Sequence, residues 1–135
     1  MSQDPEDQLL LGPAYGTAKV LNSMNLKMSD ISVLEYHKAF AGQILANVNA
    51  MKSDKFCQNM MGRKEKIGEV DMSKINLWGG SLSIGHPFGA TVVRLAMHSA
   101  HRIIKEDGQY ALIAACAAGG QGVGMVLDRH PDANI

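Results

Sequence analysis

The stretch YALIAACAAGGQGVGMVLD, from Tyr110 to Asp128, decides the fold. Tyr110 to Cys116 is almost uniformly apolar, the pattern of a strand covered on both faces. Gly119-Gly120-Gln121-Gly122 supplies a turn, and Val123 to Asp128 reads as the strand that returns from it, giving an antiparallel hairpin.

Upstream, Pro87 opens a long helix with Val93, Ala96, Met97, Ala100, Ile103 and Ile104 on its expected buried stripe, ended by Asp107-Gly108. His98 and His101 fall in line with Arg94 and Lys105 opposite that stripe, a solvated polar face rather than a metal pair. A short strand is expected around Leu77 and Trp78, entering Gly79-Gly80. Between Lys52 and Lys74 periodicity fails, so residues 52–75 read as one long loop within the domain. Val33 to Tyr36 has strand character and runs into His37, and a helical pattern follows with Phe40, Ile44, Val48 and Met51 on one face. Gly12-Pro13 opens a first helix over 13–25, with Ala14, Ala18, Leu21 and Met24 sharing a face. The order α, β, α, β, α, β, β predicts a layered α/β fold, its mixed sheet ending in the hairpin.

Composition bounds the function. The chain has 135 residues, 46% of them hydrophobic, which suits a single domain over 1–135 with one core. Thirteen basic residues balance thirteen acidic ones, so no long-range field draws in nucleic acid or an anionic membrane. The two cysteines, Cys57 and Cys116, fit neither a zinc nor a redox spacing, and a reducing compartment suits them. Met1 to Gln8 is polar and acidic, unlike a targeting peptide. The longest apolar run, Ala111 to Ala118, falls well short of the roughly 20 residues of a membrane span.

Three residues stand where chemistry could occur. If Pro87 is the first helical residue, His86 occupies the cap beside free N–H groups and the positive end of the helix dipole. Spacing alone is equally satisfied by a plain cap. Cys116 ends an apolar strand and precedes two alanines and two glycines, so its thiol could reach a crevice with unblocked backbone N–H groups, or simply fill core. Cys57 reads only as core. His37 lies at a strand-to-helix turn, where α/β proteins gather binding groups, or where a histidine is merely satisfied. His130 has no partner in the sequence.

Taken with their neighbours, His37-Lys38-Ala39-Phe40-Ala41, Gly85-His86-Pro87-Phe88-Gly89-Ala90-Thr91 and Cys116-Ala117-Ala118-Gly119-Gly120-Gln121-Gly122 resemble the thiolases, CoA-dependent acyl-transfer enzymes. The likeness runs from about Gln3 to Pro131 and is to the C-terminal half of the mitochondrial 3-ketoacyl-CoA thiolases of fatty-acid β-oxidation. It implies a partial thiolase-like C-terminal domain in which His86 is the base for a cysteine nucleophile and faces the thioester oxygen. Cys116 would exchange a proton with the acetyl carbon, the Ala118 N–H would help bind an oxyanion, and His37 would complete a second oxyanion pocket. Ala39 and Phe40 would line the pantetheine channel. The resemblance implies CoA and acyl-CoA as substrates with no tightly bound cofactor, and the mitochondrial matrix as compartment. The partners implied are a thiolase N-terminal half or full-length thiolase subunits, and self-association into a homo-oligomer.

Departures from the family pattern carry expectations too. The nucleophilic cysteine belongs to the family's N-terminal half, so no turnover is expected from this chain alone. The family's strand preceding the segment matching Ser2 is missing, which would leave a pairing edge to be filled by another chain. Lys38 replaces the usual glutamate and should disfavour protonation of His37. Val92 replaces a glycine and should crowd the packing of its helix.

Overall fold

The computed structural model describes residues 1–133. Its sheet has the order β1-β4-β3-β2, formed by Ser2–Gln3 (β1), Ile31–Tyr36 (β2), Tyr110–Ala117 (β3) and Gln121–Asp128 (β4). β2 and β3 are parallel, and β3 and β4 form the expected antiparallel hairpin, in register from Tyr110↔Asp128 to Ala117↔Gln121. Gly119 and Gly120, at φ 87° and 74°, provide the left-handed backbone of its turn. β1 covers only the start of the outer edge of β4, pairing Ser2 with Gly122 and Gln3 with Gln121. Among the described residues the rest of that edge has no strand partner.

Alternation along β3 divides the core. Leu112 and Ala114 join the main apolar cluster with Ala14, Ala18 and Leu21 of α1 (Gly12–Met24) and Ile44, Val48 and Met51 of α2 (Ala41–Met51). Ala111 faces the other way, into a small cluster with Val33 and Ile103 of α5 (Thr91–Lys105). α1 lies close on β4 because glycines meet there: a Cβ on Gly122 would stand 2.4 Å from the carbonyl oxygen of Gly12, and one on Gly124 equally close to that of Gly16. Buried Asn47 ties α2 to α1, accepting from the Ala14 N–H at 2.8 Å and donating to the carbonyls of Leu10 and Gln43.

Several expectations are corrected. Residues 52–75 are not one loop, because Ser53 caps the short helix α3 (Asp54–Met61), whose side of contact with the core is Cys57. No strand forms at Leu77 and Trp78. Asn76 turns the chain at φ 48°, and only a single bridge, Leu34↔Ile75, approaches the edge of β2. Gly79-Gly80 instead leads into the one-turn helix α4 (Ser81–Ile84).

α5 begins at Thr91 rather than Pro87 and is rotated from the expected orientation. Val93 and Met97 are more than half exposed, whereas Leu95, Ser99, Arg102 and Ile103 are buried. The cause is Glu35 of β2, fully buried on that side of the sheet. A buried carboxylate needs a partner, and Arg102 Nη1 meets it at 2.7 Å. Arg94 and His98, at i−8 and i−4 from Arg102, are thereby turned toward the sheet and half-buried instead of solvated.

Candidate active site

The site lies at the C-terminal ends of β2 and β3, where chains from both faces of the sheet meet. Val33, Glu35 and His37 share the α5 face by strand alternation, and the His37 N–H extends the ladder by donating to the Ala114 carbonyl at 2.8 Å. Cys116, following Leu112 and Ala114, belongs to the α1 face and is half-buried. His86 arrives on the loop between α4 and α5 and stacks on His37, ring centres 4.2 Å apart at 37°. Phe88 lies against the His86 ring at 5.1 Å.

These three side chains open on one cavity of about 620 Å³, together with Ala39, Ala118 and the apolar walls Leu9, Leu10 and Phe88. Phe40 does not line it; it stands at the start of α2, 60% exposed. Ala39 therefore stands on the wall of this cavity, and Phe40, immediately before α2, stands outside it. His86 is not a helix cap either: Ala90 holds that position, and the His86 Nδ1 lies 2.5 Å from the Thr91 hydroxyl.

The electrostatics favour neutral groups. Burial, the neighbouring His86 and Arg94 hold the His37 imidazole below its ordinary pKa. The direction matches the sequence-based expectation, with burial as the largest cause and Arg94 as the cation named beside it. Burial raises the Cys116 thiol, with the Asp4 carboxylate adding to it. Gln43, itself buried, donates from Nε2 to the Cys116 sulfur at 3.7 Å. Cys57 is remote: its thiol is fully buried and directed at the Ala50 and Met51 carbonyls. Val92 is partly exposed and lines the cavity.

Sequence reasoning missed the supporting polar groups. Ser81 lies 3.0 Å from His37 Nδ1 and accepts from Arg94 Nη2 at 2.9 Å. Asn76 grips the last residue of β2, accepting from the Tyr36 N–H and donating to its carbonyl at 3.1 and 2.9 Å. The one signal for Arg94 was Glu35, a lone carboxylate inside an apolar strand that had to turn a polar helix stripe inward.

No helix of the described residues is long and apolar enough to cross a membrane. Residues 1–129 match the family model described as the thiolase C-terminal domain. The chain is 63% identical over 130 residues to a probable 3-ketoacyl-CoA thiolase of Caenorhabditis elegans, covering 96% of this chain and 29% of that protein. It is 60% identical over 131 residues to the mitochondrial trifunctional enzyme subunit beta of Homo sapiens, covering 97% and 28%. Among solved structures, human mitochondrial 3-ketoacyl-CoA thiolase in complex with CoA superposes with a TM-score of 0.76 at 27% identity, over 96% of this chain and 28% of that one. The chain therefore spans less than a third of the length of these relatives. With nearly every residue inside the match and the same fold beneath it, the chain belongs to the thiolase family and corresponds to its C-terminal domain.

Proposed function

We propose that this chain supplies the acid–base and oxyanion half of a 3-ketoacyl-CoA thiolase of fatty-acid β-oxidation, acting on a CoA thioester in the mitochondrial matrix. The observation that carries the reading is the convergence of His37, His86 and Cys116 on one largely apolar cavity. An uncharged pantetheine arm and acyl chain suit such walls, and a few polar groups at one end fix the thioester.

In this reading a cysteine of the N-terminal half loses its proton to His86 and attacks the keto carbon, while His37 and the protonated His86 donate to the oxyanion. The carbon–carbon bond then breaks, and Cys116 gives a proton to the departing acetyl-CoA carbon. The Ala118 N–H helps hold the enolate oxygen, and CoA afterwards removes the acyl group from the nucleophile. The raised pKa of Cys116 suits a thiol that must stay protonated until that step. Of the two thiols present, Cys57 is sealed in the core and Cys116 is assigned to proton transfer, so the chain alone lacks an attacking sulfur.

The test is thiolysis. Acetyl-CoA release from a 3-ketoacyl-CoA and CoA is expected to be absent with this chain alone and to appear when a thiolase N-terminal half is added. A second reading, a non-catalytic domain that pairs with thiolase subunits or with itself, draws on the open edge of β4 and the exposed Val93 and Met97 face of α5. Such surfaces call for a cover. Binding of subunits or CoA esters without turnover in any mixture would favour it over the first.

A further inference from the structure

Building on the reading that this crevice handles a thioester, we propose that two hydroxyls set opposite tautomers on the stacked imidazoles. Thr91 holds His86 with its proton on Nδ1 and Nε2 bare, while Ser81, gripped by Arg94, holds His37 with Nδ1 bare and the proton on Nε2.

A hydroxyl carries one proton and two lone pairs. The Thr91 hydroxyl donates to the Pro87 carbonyl at 3.2 Å and also stands 2.5 Å from His86 Nδ1. Its proton being spent on Pro87, the contact with His86 is a hydrogen bond only if Nδ1 is the donor. A neutral ring protonated on Nδ1 has a free lone pair on Nε2, the form a general base requires.

Ser81 reverses the pattern. Its oxygen accepts from Arg94 Nη2, and the guanidinium polarises the hydroxyl into a better donor. Among the described residues the acceptor within its reach is His37 Nδ1, at 3.0 Å. Nδ1 therefore accepts, and the proton of a neutral ring sits on Nε2. Neutrality follows from burial, from His86 and from Arg94, all of which oppose a charge on His37.

Neither Nε2 has a hydrogen-bond partner among the described residues; that of His37 is not sealed from solvent, His86 is an exposed residue, and both residues line the cavity. The crevice thus presents one lone pair and one N–H side by side. Matching tautomers would offer two donors with no base, or two acceptors with nothing to hold an oxyanion. Ser81, Arg94 and Thr91 are positioning residues in this scheme, acting through the imidazoles.

Long-range proton–nitrogen correlation spectra of the 15N-labelled chain, recorded well above the ordinary imidazole pKa, read each tautomer directly. His86 is expected to show a protonated Nδ1 and a bare Nε2, and His37 the reverse. Thr91→Val should shift only the His86 nitrogens toward averaged values, and Ser81→Ala or Arg94→Met only those of His37. Thr91→Ser and Ser81→Thr should restore the original pattern. The same tautomer on both rings, or folded variants with unmoved nitrogens, would overturn the proposal. If a variant does not fold, the spectrum of the unsubstituted chain decides alone. Since no turnover is involved, opposite tautomers found in a chain that never supports thiolysis would sink the functional reading and leave this one standing.

Discussion

Glu35 and His37 stand two residues apart on one face of β2, each nearly sealed from solvent, at 0% and 5% exposure, and their surroundings differ in what they leave open. The Glu35 carboxylate is enclosed: Arg102 Nη1 at 2.7 Å, Asn76 Nδ2 at 3.0 Å and the His98 ring at 3.8 Å surround it. Among the described residues the His37 ring is hydrogen-bonded only through Nδ1, and the residue lines the cavity. Burial pushes both toward their neutral forms, raising the pKa of Glu35 against the pull of Arg102 and lowering that of His37. A titratable group whose every atom is partnered holds a fold together, whereas one partnered on a single side remains available for chemistry. Displaced pKa values alone do not separate the two cases.

The contrast is broken most severely at the enclosed end. Arg102→Ala leaves Glu35 buried without its cation and should cost about 3–5 kcal/mol, a loss typical of halving a buried pair. Urea denaturation followed by circular dichroism measures it, and a change below about 1 kcal/mol would place Glu35 in contact with water.

At the open end the loss should fall on rate instead. His86→Gln, in a mixture with a thiolase N-terminal half, is expected to lower thiolysis by about 10²–10⁴-fold, the usual worth of a positioned base. Because His86 is exposed, stability should change by no more than about 0.5 kcal/mol. A variant that unfolds without a fall in rate would reverse the assignment of the two sites.

A smaller effect concerns pH. The folded pKa of His37 lies below its unfolded value of 6.5, so below that pH the unfolded chain binds the proton more readily. The stability contributed by neutral His37 is complete above pH 6.5 and is lost as pH falls through the folded pKa. His37→Gln should therefore flatten the acid side of the stability profile, and an unchanged profile would show that the ring protonates freely in the fold.

The smallest effect sharpens the electrostatics. Lys38→Glu should move the His37 titration, followed by NMR, less than Arg94→Met does, since Arg94 is the cation acting on the ring. The opposite order would return Lys38 to the role the sequence suggested.

Periodicity made the hairpin, α1, β2 and α2 legible, because each buries a regular stripe. The rotation of α5 was not, since it is dictated by Glu35 across the sheet and sends an apolar stripe outward. α3 was hidden because it runs for only eight residues, although Ser53-Asp54 carried a cap signal. The expected strand at Leu77 fails because Asn76 adopts a left-handed turn to clamp Tyr36. In the site, His37, His86 and Cys116 were found through their neighbours' wording, and spacing left each one open. Ser81, Thr91, Gln43 and Asn76 were out of reach, since their roles consist of contacts between residues distant in sequence or of bond directions within a loop.

The proposed activity depends on three side chains from separate elements serving one thioester. Its most direct measurement is an NMR titration of the chain, labelled at histidine and cysteine side chains, with a short 3-ketoacyl-pantetheine thioester. Signals of His37, His86 and Cys116 should move together along one saturation curve while those of His101 and His130 stay in place. Independent midpoints, or movement confined to the outlying histidines, would contradict it.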